Sequence, residues 1–163
     1  MTVTDDFVRN NEAYAATFDP AEFTPAPKKH VAVVTCMDAR IAVFPVLGLQ
    51  AGDAHIIRNA GGIVTDDVLR SLLISQRSLG TREIVLMHHS NCGLLTFTDD
   101  ELAATLEAET GQRPTFPLGA ITDLDASVRD SMKRLRESPF LVARDAIRGF
   151  VFDVQTGRVR EVV

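Results

Sequence analysis

Two short segments of the sequence combine thiol, carboxylate, guanidinium and imidazole side chains. The first, "CMDAR", places Cys36, Asp38 and Arg40 within five residues, and the second, "HHSNCG", places His89 three residues before Cys92. Two thiolates and one imidazole are a ligand set typical of Zn²⁺, and catalytic sites of this composition keep a further position for water. The H-x-x-C spacing alone is a weak signal, but together with C-x-D-x-R it predicts a metal site.

The carboxylate and the guanidinium of the first segment could serve the reaction at such a metal. Zinc bound by two thiolates and a neutral histidine keeps roughly no net charge, so it acidifies water less readily than zinc with three neutral ligands. We therefore expect Asp38 to accept a hydrogen bond from a zinc-bound hydroxide and to orient it. Arg40 would keep Asp38 ionised, because a neighbouring cation lowers the pKa of a carboxylate. Asp38 is also a possible zinc ligand, and its binding would close the site.

These side chains can meet only if the strands that carry them are neighbours. The apolar, β-branched run "HVAVVTC" predicts a buried strand ending at Cys36, and "REIVLMHHS" predicts another that ends shortly before Cys92. In open α/β sheets a ligand binds beyond the carboxyl ends of the strands. If the two strands are adjacent, Cys36, His89 and Cys92 converge at one edge of the sheet.

The rest of the sequence alternates predicted helices with predicted strands. Threonines before acidic residues are typical helix N-caps, and they predict helices after Thr4, Thr65 and Thr98, the second of which ends at Gly80. A further helix is predicted over "TDLDASVRDSMKRLRES", and "ARIAVFPVLGL" predicts a short helix interrupted by Pro45. "AGDAHIIRNAGG" predicts a second strand and a glycine-rich loop, and "GFVFDVQTGRVREVV" a terminal hairpin. The fold class is therefore α/β: a mainly parallel central sheet flanked by helices, with a C-terminal antiparallel hairpin strand.

Length and charge limit the classes of function. A chain of 163 residues predicts one domain over 1–163, with a helical arm and a proline-rich connector over 1–29. A net charge of -5 argues against nucleic acid as a partner, and no apolar stretch approaches the roughly 20 residues of a membrane span. The N-terminal residues contain no apolar secretory region, so we expect a cytoplasmic protein. In that reducing compartment two cysteines favour a metal or redox site over a disulfide.

Other polar residues near the motifs have simpler interpretations. His88 and His89 point to opposite faces of a strand, so only one can join the site. The turn spacing favours His89, and we expect His88 to be packed or hydrogen-bonded. Structural roles are also expected for two histidines at strand starts and two acidic residues at a helix N-terminus: His30, His55, Asp66 and Asp67.

The motifs "CMDAR", "RNAGG" and "HHSNCG", in this order, resemble those of the β-class carbonic anhydrases, and the resemblance covers nearly the whole chain. It implies one zinc ion per subunit on Cys36, His89 and Cys92, with Asp38 and Arg40 as a catalytic dyad. The implied reaction is the reversible hydration of carbon dioxide to bicarbonate by attack of zinc-bound hydroxide. A homodimer or a dimer of dimers is also implied, with the N-terminal helix packed on a neighbouring subunit.

The short, compact branch that this chain resembles also contains enzymes that hydrolyse carbonyl sulfide or carbon disulfide at the same zinc site. All three substrates are linear and apolar, so the metal ligands cannot distinguish them and the shape of the pocket must do so. Close backbone approach is expected at "RNAGG", and candidate pocket residues are Ala60, Gly61, Gly62 and Gly93.

Two non-hydratase interpretations remain open from the residues alone. In a structural zinc or thiol-sensing module, Asp38 would complete a closed tetrahedral site with no position for water. A cysteine-based phosphatase or a dithiol oxidoreductase is weaker. The gap between Cys36 and Arg40 is too short for a phosphate loop, and the sequence contains no C-x-x-C.

Overall fold

A five-stranded sheet forms the centre of the protein. The structure is a computed structural model and describes residues 2–163. The strands are β1 (Val31–Cys36), β2 (Ala54–Asn59), β3 (Glu83–His89), β4 (Ile147–Phe152) and β5 (Val159–Val162). Their order across the sheet is β2-β1-β3-β4-β5. The first four are parallel, and β5 pairs antiparallel with β4. The predicted α/β class, with a terminal antiparallel strand, is confirmed.

Five helices accompany the sheet within the described residues: α1 (Val3–Ala15), α2 (Val43–Leu47), α3 (Asp66–Leu79), α4 (Asp99–Thr110) and α5 (Leu124–Glu137). The predicted caps of α3 and α4 are confirmed, since the Thr65 and Thr98 side chains accept hydrogen bonds from main-chain N–H groups of the first turn. Gly80 ends α3 in the left-handed conformation. No helix among residues 2–163 combines the length and apolar character that crossing a bilayer requires.

Two details of the predicted helices are wrong. The N-cap of α1 is Thr2 rather than Thr4, because Asp5 completes a reciprocal capping box with Thr2, whereas the residue three positions after Thr4 is Phe7. Pro45 does not interrupt α2. It lies in the first turn, where a missing N–H costs no intrahelical hydrogen bond.

The sheet has a core on each face. In one core, apolar residues of α3 and α5 pack against apolar residues of the strands. Its members include Val34 and Leu86 from the sheet and Leu72, Val128, Met132 and Leu135 from the helices. The other contains Val33, Ile41, Met87 and Phe152, together with Cys36 and Cys92. Both thiols therefore lie inside a hydrophobic cluster rather than on a surface loop.

The N-terminal arm lies outside both cores. None of the residues of α1 is buried, although Val3, Phe7 and Val8 are apolar. The connector is nevertheless ordered: Lys28 and Lys29 donate main-chain hydrogen bonds to the carbonyls of Gly52 and Asp53. Ring contacts link the end of the helix to the connector through Tyr14, Phe18 and Phe23. The arm is therefore held to the sheet while its apolar face stays exposed.

Candidate metal centre

The two motif-bearing strands are neighbours in the sheet. The last residue pair between β1 and β3 is Thr35 with Met87, so Cys36 and His89 lie just beyond the paired region, at the same edge. β2 pairs with the opposite side of β1, so the order of the strands reverses between β1 and β3. Such a switch point is where open α/β sheets form their ligand sites.

Three potential ligands converge at this edge. Cys36 Sγ, Cys92 Sγ and a ring nitrogen of His89 all lie within 4.8 Å of one another, and all three residues are buried. Cys92 reaches the cluster from the start of a single 3₁₀ turn, Gly93–Leu95. The convergence expected from the strand ends is therefore present.

His89 has the tautomer that a metal ligand needs. Its Nδ1 lies 3.0 Å from the carbonyl oxygen of Ser90 and donates to it, which leaves the lone pair of Nε2 free. This Nε2 atom is buried and has no hydrogen-bond partner among residues 2–163. Burial also lowers the pKa of His89, so the ring is neutral at neutral pH. An unpaired nitrogen beside two sulfurs fits Zn²⁺ by its donor chemistry.

The thiol of Cys92 is costly to ionise without a cation. Its burial raises its pKa, and the nearby Cys36 adds to this effect, although a hydrogen bond from the Leu94 main chain acts in the opposite direction. A divalent cation bound between the two sulfurs would offset this cost, because metal binding favours the thiolate.

Asp38 lies beside this cluster and is held by Arg40. Arg40 Nε donates to Oδ1 at 2.9 Å, and Arg40 Nη2 donates to Oδ2 at 2.6 Å. The Arg40 main-chain N–H donates to Oδ1 at 2.9 Å as well. These hydrogen bonds hold the pKa of Asp38 well below its usual range, so the carboxylate stays ionised. Asp38 Oδ2 is 3.8 Å from His89 Nε2, which puts the carboxylate at the rim of the cluster.

Arg40 also connects the two loops that carry the ligands. Its Nη2 donates to the carbonyl oxygen of Asn91 at 3.0 Å. Asn91 has a φ of 58°, in the left-handed region that asparagine tolerates better than most residues. The sequence gives no sign of this contact, because any residue could supply the carbonyl.

A second arginine contact was not predicted. Arg58, at the end of β2, donates to the carbonyl oxygens of Cys36 and Asp38. The sequence marks "RNAGG" only as a glycine-rich loop, so its arginine had no assigned role.

The glycines after Arg58 pack closely, as expected. A Cβ on Gly62 would lie 2.7 Å from the main-chain nitrogen of Cys36, and one on Gly61 would collide with Leu94 Cδ1. Ala60 is exposed, and nothing lies within 4 Å of a Cβ built on Gly93. Close backbone approach is therefore confirmed at Gly62, Gly61 instead packs against a side chain, and a substrate pocket formed by these four residues stays a prediction.

The residues assigned structural roles lie outside the cluster. His88 is buried on the opposite face, its Nε2 donates to the carbonyl of Gly62, and burial lowers its pKa to about 4. His55 bonds Ser75 and the carbonyl of Pro25, and His30 contacts the carbonyl of Gly80. The acidic pair at the start of α3 forms ion pairs: Asp66 with Arg134 and Asp67 with Arg70.

Comparisons with known proteins identify relatives over most of the chain. The family model described as carbonic anhydrase matches residues 31–159. Beta-carbonic anhydrase 1 of Mycobacterium tuberculosis is 53% identical over 162 residues, covering 99% of each protein. A carbon disulfide hydrolase of Acidianus sp. is 36% identical over 153 residues, covering 79% of this chain and 75% of that protein. The crystal structure of carbonic anhydrase from Streptococcus mutans matches with a TM-score of 0.93 at 46% identity, covering 100% of this chain and 99% of the other.

Proposed function

The chain belongs to the β-carbonic anhydrase family, and from that premise we propose that it catalyses the reversible hydration of carbon dioxide to bicarbonate. One observation carries the proposal. The buried cluster of Cys36, His89 and Cys92 leaves the lone pair of His89 Nε2 unpaired beside an ionised Asp38. When bound to these three residues, zinc supplies a Lewis acid that acidifies water and makes hydroxide available near neutral pH.

Asp38 orients the nucleophile in this proposal. An ionised carboxylate can only accept hydrogen bonds, so Asp38 accepts a hydrogen bond from the O–H of the attacking hydroxide and leaves the lone pairs of that oxygen for the carbon of carbon dioxide. The bidentate contact with Arg40 fixes the carboxylate in this orientation. The same contact opposes rotation of Asp38 onto the metal, which keeps a coordination position open for the reaction.

The test is a carbon dioxide hydration assay on protein of known zinc content. We expect activity proportional to bound zinc, with saturation at one zinc per subunit. Loss of zinc from Cys92→Ser should abolish activity, whereas a serine substitution of the exposed Glu83, at the opposite end of β3 from His89, should not. Zinc-loaded protein that hydrates carbon dioxide no faster than buffer would refute the proposal.

Hydrolysis of carbonyl sulfide or carbon disulfide is the second candidate. The similarity to a carbon disulfide hydrolase favours it, and the same orientation of a nucleophile by Asp38 would serve a linear, apolar sulfur substrate. Parallel assays of bicarbonate formation and of sulfide release separate the two. Rapid sulfide release with negligible carbon dioxide hydration would reverse our order of preference.

A structural zinc module is tested by Asp38→Ala. If the carboxylate is a fourth ligand, its removal should release zinc and destabilise the fold together. In our proposal the variant instead keeps zinc and remains folded but is inactive.

We further propose that residues 1–163 form one cytoplasmic domain whose arm, residues 1–29, packs on a second copy. Phe7 and Val8 are each 62% exposed on α1, whose end is joined to the connector by ring contacts through Tyr14, Phe18 and Phe23. An exposed apolar helix face favours a partner. Light scattering should give a dimer or a dimer of dimers for the wild type and a smaller species for Phe7→Glu. Val142→Glu, which is equally exposed elsewhere, is the control. A monomeric wild type would refute the assembly.

A further inference from the structure

Arg58 contacts the main chain on both sides of Met37. Its Nε donates to the carbonyl oxygen of Cys36 at 2.9 Å, and its Nη2 donates to that of Asp38 at 2.7 Å. One planar guanidinium therefore spans the segment that joins a proposed zinc ligand to the proposed catalytic carboxylate.

This segment has little other support from the sheet. Pairing between β1 and β3 ends at Thr35 with Met87, one residue before Cys36. Beyond that point, the main chain is supported from the β2 side, where Met37 N–H donates to the carbonyl of Asn59 at 2.8 Å. Arg58 follows the same strand and adds two charge-assisted hydrogen bonds, which are stronger than neutral ones.

We propose that Arg58 is a positioning residue for the metal centre. By bridging two carbonyls it fixes the Cys36 thiolate relative to the Asp38 carboxylate, and it acts through main-chain contacts. The inference rests on the zinc site proposed above. It adds to that site Arg58, whose side chain donates to the main-chain carbonyls of Cys36 and Asp38.

The geometry predicts that lysine cannot replace Arg58. Arginine presents several donors in a rigid, planar arrangement, whereas lysine offers one compact ammonium group at the end of a flexible chain. Lysine would keep the positive charge near Asp38 but could not hold both carbonyls in the same orientation. Charge and geometry can therefore be separated by comparing Arg58→Lys with Arg58→Met.

The expected loss of zinc affinity and activity can be estimated from residues of other metal sites that orient the metal ligands without binding the metal. Loss of residues that orient metal ligands typically costs about 10- to 100-fold in metal affinity or activity. Because Arg58 is exposed and water can replace part of its hydrogen bonding, we expect about tenfold. The loss should fall on zinc affinity and kcat, with KM nearly unchanged, because both donors of Arg58 bind main-chain carbonyls.

The control variant is Arg148→Met. Arg148 makes a comparable bidentate contact, with Glu161 at 2.7 and 2.6 Å, but it joins β4 to β5 away from the metal cluster. Zinc-free Arg58→Met and Arg148→Met should therefore unfold at similar urea concentrations. This comparison separates positioning from a general loss of stability.

The experiment measures zinc affinity by chelator competition, the visible absorption of the cobalt-substituted protein, and kcat and KM for carbon dioxide. We expect both Arg58 variants to bind zinc about tenfold more weakly and to shift the cobalt bands, with Arg148→Met matching the wild type. Wild-type zinc affinity and cobalt spectra in Arg58→Lys and Arg58→Met would overturn the inference while leaving the proposed function intact. A wild type that binds no zinc would instead refute the proposed function.

Discussion

Gly62→Ala should displace the main chain that carries Cys36. The new Cβ would lie 2.7 Å from the nitrogen of Cys36 and 2.8 Å from the carbonyl carbon of Thr35. Both are main-chain atoms in an inner strand of the sheet, so neither can move without disturbing β1. Gly62 also has a φ of +68°, where a side chain is disfavoured. The substitution therefore combines backbone strain with a collision at a proposed zinc ligand.

The magnitude can be built from these two effects. A left-handed conformation costs a residue with a side chain roughly 1–2 kcal/mol, and overpacking a well-packed interior costs roughly 1–3 kcal/mol. We therefore expect Gly62→Ala to lower the free energy of unfolding by about 2–5 kcal/mol. Gly48 isolates the first effect, since its φ is +64° but nothing lies within 4 Å of its Cβ position. Gly48→Ala should cost only about 1–2 kcal/mol.

The assay is urea unfolding of the wild type and both variants, followed by zinc retention against a chelator. We expect Gly62→Ala to lose more stability than Gly48→Ala and to be the only one of the two that loses zinc. Gly93→Ala, with open space and no positive φ, should change stability by less than about 0.5 kcal/mol. Equal stability and full zinc retention in Gly62→Ala and Gly48→Ala would refute the argument that Gly62 is required by contact with Cys36.

Two further predictions concern a carboxylate and a buried histidine. Asp38→Asn should keep its zinc but lower kcat for carbon dioxide hydration on the order of 100-fold, because the neutral amide cannot replace the ionised acceptor; a change within threefold by stopped-flow would argue against a catalytic Asp38. The folded pKa of His88 is about 4 against 6.5 unfolded, so the unfolded chain binds a proton first and stability is lost as the pH falls from 6.5 towards 4. Between pH 7.5 and 5 the free energy of unfolding should fall by about 2 kcal/mol through this histidine. Urea unfolding of the zinc-free protein at both pH values measures this loss, and His88→Gln should abolish it. An unchanged pH dependence in the variant would contradict the assignment.

Much of the fold follows from local signals in the sequence. The run from Val31 to Cys36 is apolar except for Thr35, as a strand covered on both faces favours, and it is buried from Ala32 onward. The caps at Thr65 and Thr98 are local hydrogen-bonding choices and were predicted correctly. At the N-terminus both Thr2 and Thr4 are possible N-caps, and the helix begins after Thr2 because the Asp5 carboxylate accepts a hydrogen bond from the Thr2 main chain. Thr4 is followed directly by two acidic residues, which also favours a cap there, but the acidic residue at the third position of the helix belongs to Thr2.

The convergence of Cys36, His89 and Cys92 was predictable only conditionally. Parallel strand ends share an edge, but the sequence does not state that β1 and β3 are neighbours, and the sheet order supplies that fact. The roles of Arg58 and Asn91 were not predictable. Both depend on main-chain carbonyls, which every residue has, so no side-chain pattern marks which arginine will meet which carbonyl.

The most direct test is an anomalous-scattering map at the zinc absorption edge, measured on crystals of protein purified without chelator. We predict a single strong peak per subunit, within bonding distance of Cys36 Sγ, Cys92 Sγ and His89 Nε2, with Asp38 still paired to Arg40. A map without a peak between these three atoms, or with zinc bound elsewhere on the chain, would contradict it.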